Sequence, residues 1–158
     1  IEGGAERVLN LDMNRRLLDK GRQNHRLNGH DLRNVTFLGH DLFKTFGRLK
    51  REGPFDLIIL DPPFFQNGSF KAERDWPKML RRLPELLTDR GEILAAVSAP
   101  ELGETFLRQQ IADAFPESKI LAHLTAGDNF PEDDPDKGLH LFHVACFGAV
   151  GLKSSNNQ

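Results

Sequence analysis

Short apolar runs alternate with amphipathic stretches along this chain, and the alternation predicts its elements. Arg7 to Asp12 (RVLNLD) reads as a strand that ends in an acid. Asn14 is placed to cap a helix running to about Asn28, with Leu17, Leu18 and Leu27 among its apolar positions and Gly29 as its stop. Val35 to Leu38 is a short strand, followed closely by another acid, Asp41, and then a helix over Leu42–Lys50 that stops at Gly53-Pro54. Phe55 to Leu60 (FDLIIL) is a nearly continuous apolar run, the pattern of a central parallel strand covered on both faces. Asp75 to Leu87 reads as helical; Pro77 suits only a first turn, and Pro84 bends or ends the helix. Beyond it come a strand over Glu92–Val97, a helix over Ala99–Phe115 and a strand over Lys119–Thr125. A Gly/Pro/Asp loop at 127–138 then leads to a last strand over Leu139–Phe147.

Strands that alternate with helices predict an α/β fold, a doubly wound parallel sheet with helices on both faces. The last two strands have no helix between them and so should pair antiparallel. Without repeats or linkers, residues 1–150 read as one domain, and the polar tail 151–158 reads as disordered. No apolar run approaches the ~20 residues that span a bilayer, so no membrane association is expected. The start of the chain lacks the basic and apolar regions of a secretory signal. A single cysteine, Cys146, excludes an internal disulfide and fits a reducing cytoplasm.

In an open α/β sheet, ligands bind beyond the carboxyl ends of the strands. Three of those ends carry an acid here: Asp12, Asp41 and Asp61. A carboxylate after the second strand of a nucleotide-binding fold accepts hydrogen bonds from ribose hydroxyls, and one after the next strand can hold an adenine amino group. The bland alternative for each is a helix cap. Asp61-Pro62-Pro63-Phe64 is more informative. Each proline fixes φ, removes an amide donor and biases the residue before it to extended geometry. A rigid stop after a strand is one reading. The other is an amine clamp. An amide-like amino group is a poor nucleophile because its lone pair is delocalised, and the Asp61 carboxylate with the Pro62 carbonyl could accept its two hydrogens and localise that pair. Phe64 or Phe65 could stack on a base, worth about 1–3 kcal/mol. A dinucleotide-binding dehydrogenase would need a G-x-G-x-x-G turn that is missing. A non-catalytic nucleic-acid-binding module remains an alternative.

The runs LDMN (11–14), NHRLNG (24–29), HDLF (40–43) and DLIILDPPFF (56–65) resemble class I S-adenosylmethionine-dependent methyltransferases. More narrowly, they resemble the bacterial group that methylates bases of large-subunit ribosomal RNA. Residues 66–106 and the ending NFPEDDPDKGLHLFHVACF (129–147) fit the same group. The resemblance implies a Rossmann-like fold, S-adenosyl-L-methionine as cofactor and RNA, in particular ribosomal RNA, as partner. It also implies that Asp12 binds the cofactor ribose and Met13 packs on adenine. Asp41 and Leu42 would recognise the adenine edge, and Asp61, which also borders the cofactor, would face the methyl acceptor with Pro62 and Phe64.

Two departures qualify that picture. The family's first strand and glycine-rich loop are absent, and Gly3-Gly4 sit too late to replace them. In the family's sheet that strand lies between those at 7–12 and 55–60. Two open edges would then call for upstream residues, a strand from a neighbouring chain, or a rearranged sheet. The second departure concerns chemistry. Members that methylate cytosine C5 use a cysteine where this sequence has Val97-Ser98-Ala99-Pro100, and serine is a poor substitute for a thiolate. Methylation at nitrogen, guanine first, is therefore expected over carbon, with cytosine C5 as the alternative. Cys146, midway along the last strand, should be buried and inert.

Other signals carry less. Residues 1–51 hold eleven Lys/Arg against six Asp/Glu, a bias that could steer a polyanion or simply solvate a helix face. Arg15, Arg16, Lys20, Arg22, Arg26 and Lys44 are its members nearest a phosphate-contacting role. No metal site is expected. His140 and His143 should point to opposite faces of a strand, and Pro135 interrupts the acids Glu132, Asp133, Asp134 and Asp136. His40 beside Asp41 reads as an ordinary loop histidine as readily as a cofactor contact.

Overall fold

The computed structural model describes residues 1–66, 70–97, 102–127, 134 and 138–147. The chain divides into two compact units, Ile1–Leu49 and Lys50–Gln158. The predicted tail 151–158 lies outside the described residues. No described helix is long and apolar enough to cross a membrane.

The first unit contains strand β1 (Val8–Leu11), helix α1 (Arg15–Leu27), strand β2 (Val35–Leu38) and the start of helix α2 (Leu42–Glu52). β1 and β2 are parallel, in register from Val8↔Val35 to Leu11↔Leu38. Local chemistry sets both ends of α1. The Asn14 side chain accepts the Arg16 N–H at 3.1 Å. At the other end Gly29 takes a positive φ of 69°. There the His30 N–H reaches the His25 carbonyl at 2.9 Å and the Gly29 N–H reaches Arg26 at 3.1 Å. A residue with a Cβ would be strained in that left-handed turn, so glycine ends the helix. Of the apolar positions expected on α1, Leu18 is buried while Leu17 and Leu27 are exposed.

The second unit runs β3 (Phe55–Leu60), β4 (Phe65–Gln66), β5 (Phe70–Lys71), α3 (Ala72–Leu80), a 3-10 turn (Leu83–Glu85), β6 (Leu87–Val97), α4 (Gly103–Ala114), β7 (Lys119–Thr125) and β8 (His140–Ala145). Its main sheet has the order β3-β6-β8-β7. β3 is parallel to β6, whereas β8 is antiparallel to both β6 and β7. The expected antiparallel end of the sheet is therefore present, with the last strand inserted between its two neighbours. Trp76 and Leu80 of α3, Ile93 of β6, Leu107 of α4 and Phe142 and Val144 of β8 form the fully buried centre.

Several expectations need correction. β3 is not covered on both faces. It pairs only with β6 among the described strands, and although Leu60 is buried, Leu57 and Ile59 are 46% and 67% exposed. Likewise, among the described strands β1 pairs only with β2. β6 begins at Leu87, not Glu92, because a bulge carries the strand through the polar residues 88–90. Phe55 pairs with Leu87, yet Leu57 pairs with Glu92. Gly91 belongs there, since a Cβ on it would lie 2.8 Å from the Leu87 side chain.

α3 starts at Ala72, so Pro77 falls inside the helix and not in its first turn. The early start has a local cause. The Asp75 side chain, 3% exposed, accepts the Lys71 N–H at 2.8 Å just before the helix, and it also binds Arg74 and Lys78. Pro84 sits in the 3-10 turn that follows, which agrees with its expected role as a breaker. α4 begins at Gly103; its expected start at Ala99 lies outside the described residues.

The Arg74 guanidinium, then the Lys71 N–H and the Lys78 ammonium, hold the Asp75 carboxyl well below the usual carboxylate range against the opposing effect of burial. A depressed carboxyl stabilises the fold above the unfolded value of about 3.9, and that contribution fades as pH falls toward the folded value. Asp75→Asn should lower unfolding free energy at pH 7 by roughly 1–3 kcal/mol, since it replaces a buried, charge-assisted acceptor by a neutral amide. The gap between wild type and variant, measured by denaturant unfolding, should be smaller at pH 3. An equal gap at both pH values would contradict this role.

Candidate active site

The sequence-derived site residues fall in both units, and each unit places its own set. In the first, Leu11↔Leu38 pairing and an Asp12 N–H to Leu38 carbonyl bond of 3.1 Å bring both strands to a common carboxyl end. Asp12 follows β1 there. Its Oδ1 accepts the Asn14 N–H at 2.7 Å, which shapes the turn into α1. Asp41 lies in the turn from β2 to α2, where its Oδ1 accepts the Lys44 N–H at 3.2 Å and its carbonyl accepts the Thr45 hydroxyl at 2.6 Å. Asp41 is thus a helix cap, as the bland reading held, but one oxygen meets that need. Both aspartates are half-buried, as is Leu42, while Met13 is 44% exposed. His40 is exposed.

In the second unit β3 delivers Asp61. Leu60 pairs with Ala95 on β6, and the ladder ends where two prolines remove the next amide donors. Asp61 is exposed, and its carboxylate makes no hydrogen bond or ion pair to any described residue. Pro62 is half-buried. Phe64 and Phe65 are 36% and 61% exposed, so neither ring is used up in the core. The segment is held from behind, because the Ala72 N–H at the head of α3 donates to the Phe64 carbonyl at 3.0 Å. The β4–β5 pairing, Phe65↔Lys71 and Gln66↔Phe70, makes a small hairpin that periodicity did not predict.

At the same end of this sheet β6 finishes with Val97, which pairs with His140 at the start of β8, and His140 pairs with Thr125 at the end of β7. Ser98, Ala99 and Pro100 lie outside the described residues, as do Glu132, Asp133 and Asp136. Cys146 lies just beyond β8 and not midway along it; it is fully buried, and burial pushes its thiol up to about 12. It is inert as expected. His140 and His143 do face opposite sides: His143 contacts Glu92 at 2.6 Å, whereas His140 contacts His123 at 3.1 Å. Glu104 in the first turn of α4 completes a grouping with His123 and His140 that no local pattern announced.

Comparison with known proteins bears on these two sets. The family model described as S-adenosylmethionine-dependent methyltransferase matches residues 1–144. The Ribosomal RNA large subunit methyltransferase I of Aeromonas salmonicida is 34% identical over 143 residues, a match covering 83% of this chain and 35% of that protein. The chain thus spans about a third of the length of that relative. Among solved structures, SMU.776 complexed with SAH superposes with a TM-score of 0.83 at 24% identity, over 90% of this chain and 40% of that one. The SAM-dependent methyltransferase from Agrobacterium tumefaciens gives a TM-score of 0.69 at 19% identity, over 91% of this chain and 50% of that one. At such identities the structures speak to the Rossmann-like α/β fold, and the family model speaks to kinship. The chain belongs to the S-adenosylmethionine-dependent methyltransferase family.

Proposed function

We propose that this protein methylates a nitrogen of an RNA base, guanine in ribosomal RNA first, with Asp61 and Pro62 as the amine clamp. The observation that carries the reading is Asp61 itself: an exposed carboxylate without a described partner, fixed at the end of a parallel strand by two prolines. A structural stop needs the prolines but has no use for the acid.

The residues of the first unit fit the family's cofactor. Asp12 and Asp41 stand at the carboxyl ends of neighbouring parallel strands, each with one oxygen engaged by a backbone N–H and the other oriented by it. Such carboxylates suit ribose hydroxyls and an adenine amino group, and exposed Met13 and half-buried Leu42 offer apolar cover for the ring. When bound, S-adenosyl-L-methionine supplies a methyl group on a sulfonium. The chain's own contribution is placement. The Asp61 carboxylate and Pro62 carbonyl accept the two hydrogens of the acceptor amine and turn its lone pair outward. Phe64 stacks on the base, and the prolines keep the acceptors where the transfer needs them.

Several features support RNA and nitrogen. The Aeromonas relative is named for large-subunit ribosomal RNA. Arg15, Arg16, Lys20, Arg26 and Lys44 are exposed and could follow a phosphate backbone, whereas Arg22 lies over the Phe37 ring, 4.6 Å from its centroid, and pairs with Asp19. The sequence's one cysteine is buried with a raised thiol, so it offers no thiolate for attack on cytosine C6. A base within a duplex cannot reach such a clamp, so the target should lie in a loop or be flipped out.

Two substitutions separate the roles. Asp12→Ala should weaken cofactor binding roughly 10- to 100-fold, as expected for a lost charged hydrogen bond. An unchanged dissociation constant by calorimetry would remove Asp12 from the site. Asp61→Ala should cut methyl transfer by about 100-fold or more while cofactor affinity holds. Its unfolding free energy should stay within about 0.5 kcal/mol of wild type. Wild-type turnover in that variant would end the clamp reading. The substrate is tested by incubating the full-length protein and cofactor with ribosomal RNA from cells lacking the enzyme, followed by nucleoside mass spectrometry. A new methylguanosine is expected. 5-Methylcytidine would overturn the nitrogen chemistry, and methyl transfer to protein or a small molecule instead would overturn the RNA assignment.

A further inference from the structure

Antiparallel pairing of β7 and β8 sets His123 opposite Phe142, one diagonal step from His140 on the same face. The three rings are packed together. His123 stacks on Phe142 with centroids 4.4 Å apart and planes at 4°, and on His140 with centroids 5.4 Å apart. Nε2 of His123 stands 3.1 Å from Nδ1 of His140, and His140 is 2% exposed. α4 crosses this face. The Arg108 guanidinium lies 5.0 Å from the Phe142 centroid, and Glu104 of the first turn comes within 3.8 Å of His123 Nδ1.

We propose that Glu104, His123 and His140 form a binding site for a transition-metal dication of the zinc type. One ligand atom from each residue, taken together, lie within 4.8 Å of one another. Bonds of about 2.0–2.1 Å in a tetrahedron put ligand atoms about 3.4 Å apart, so the imidazole nitrogens are already near the required edge. The carboxylate closes the rest by side-chain rotation in a residue that is 36% exposed. Chemistry selects the ion. Two imidazoles and one carboxylate suit zinc or cobalt, whereas magnesium and calcium ask for an all-oxygen shell. Three protein ligands leave the fourth position to water, which can enter from the side of the half-buried Glu104.

The surroundings are compatible with this assignment as well as with a plain hydrogen-bonded trio, in which His123 uses Nε2 toward His140 and Nδ1 toward Glu104. Two facing ring nitrogens at 3.1 Å can share only one proton when neutral, and they repel when both rings are charged. A bound dication would take a lone pair from each nitrogen, the shared proton leaving to solvent on binding. The contacts of Glu104 with Arg108 and His123 all use Oε1. Two Arg108 hydrogen bonds to that oxygen orient the carboxylate toward the two rings. The site would tie the first turn of α4 to β7 and β8 at the sheet end where Asp61 follows β3.

The test is zinc titration of the chelator-treated full-length protein by equilibrium dialysis, with cobalt as a spectroscopic probe. One zinc per chain is expected, with the visible cobalt bands of a four-coordinate site. His123→Ala and His140→Ala should each weaken binding by at least about tenfold, while His143→Ala, on the opposite face, keeps it. Because His140 is buried, Glu104→Gln serves as the variant that cannot unfold the core, and it too should weaken binding. Circular dichroism monitors the fold. Absence of stoichiometric uptake, or uptake that survives both Glu104→Gln and His123→Ala, would overturn the proposal.

Discussion

The parallel ladder between β3 and β6 is the constraint on which the rest of this chain depends. Its last pairing, Leu60↔Ala95, fixes where β3 must stop, because the residues that follow Asp61 have no amide hydrogen to continue it. Backbone groups that cannot pair within a sheet must find solvent or a ligand. Asp61 is accordingly exposed at the sheet's end, and its position is set by a strand whose neighbour runs through the buried centre at Ile93. A loop residue with the same chemistry would have to be ordered at a cost in entropy on each binding event.

That ladder also explains what β3 leaves open. A run such as FDLIIL stabilises a strand by burying both faces, yet here Leu57 and Ile59 remain exposed and β6 is the only paired neighbour among the described residues. The sequence carries the pattern of an interior strand; the described structure gives it the environment of an edge. β1 shows the same condition on a smaller scale, paired among the described strands with β2 alone. A further trace lies in β1 itself, where the Asn10 side-chain nitrogen is buried without a hydrogen-bond partner.

How much of this was legible in the sequence depended on the range of the interactions involved. The strands at 35–38, 55–60 and 119–125 matched residue for residue, because alternation and flanking punctuation are local signals. Both ends of α1 were readable for the same reason: Asn14 and Gly29 act within one turn. The start of α3 was missed although its support is local: the Asp75 carboxylate reaches back to the Lys71 N–H and binds Arg74 and Lys78, a side-chain contact that apolar periodicity does not register. The bulge at 88–90 was hidden because polar residues in a strand look like a loop until the pairing is known. In the candidate site, the acids at the strand ends could be picked out from position alone. The Glu104–His123–His140 grouping could not, because it depends on the β7–β8 register and on where α4 begins, both of which are long-range properties.

In the proposed function the prolines after Asp61 pre-set the two acceptor atoms for methyl transfer. Pro63→Ala tests it most directly. The substitution keeps the Asp61 carboxylate and the Pro62 carbonyl but releases the restriction that Pro63 places on Pro62. Single-turnover transfer by the full-length protein, with cofactor and RNA both saturating, should slow by about tenfold or more, given the sensitivity of such reactions to placement. Cofactor affinity, measured separately, should stay at the wild-type value. A variant that transfers the methyl group at the wild-type rate would show that the prolines only end a strand, and the account of the site built on them would be wrong.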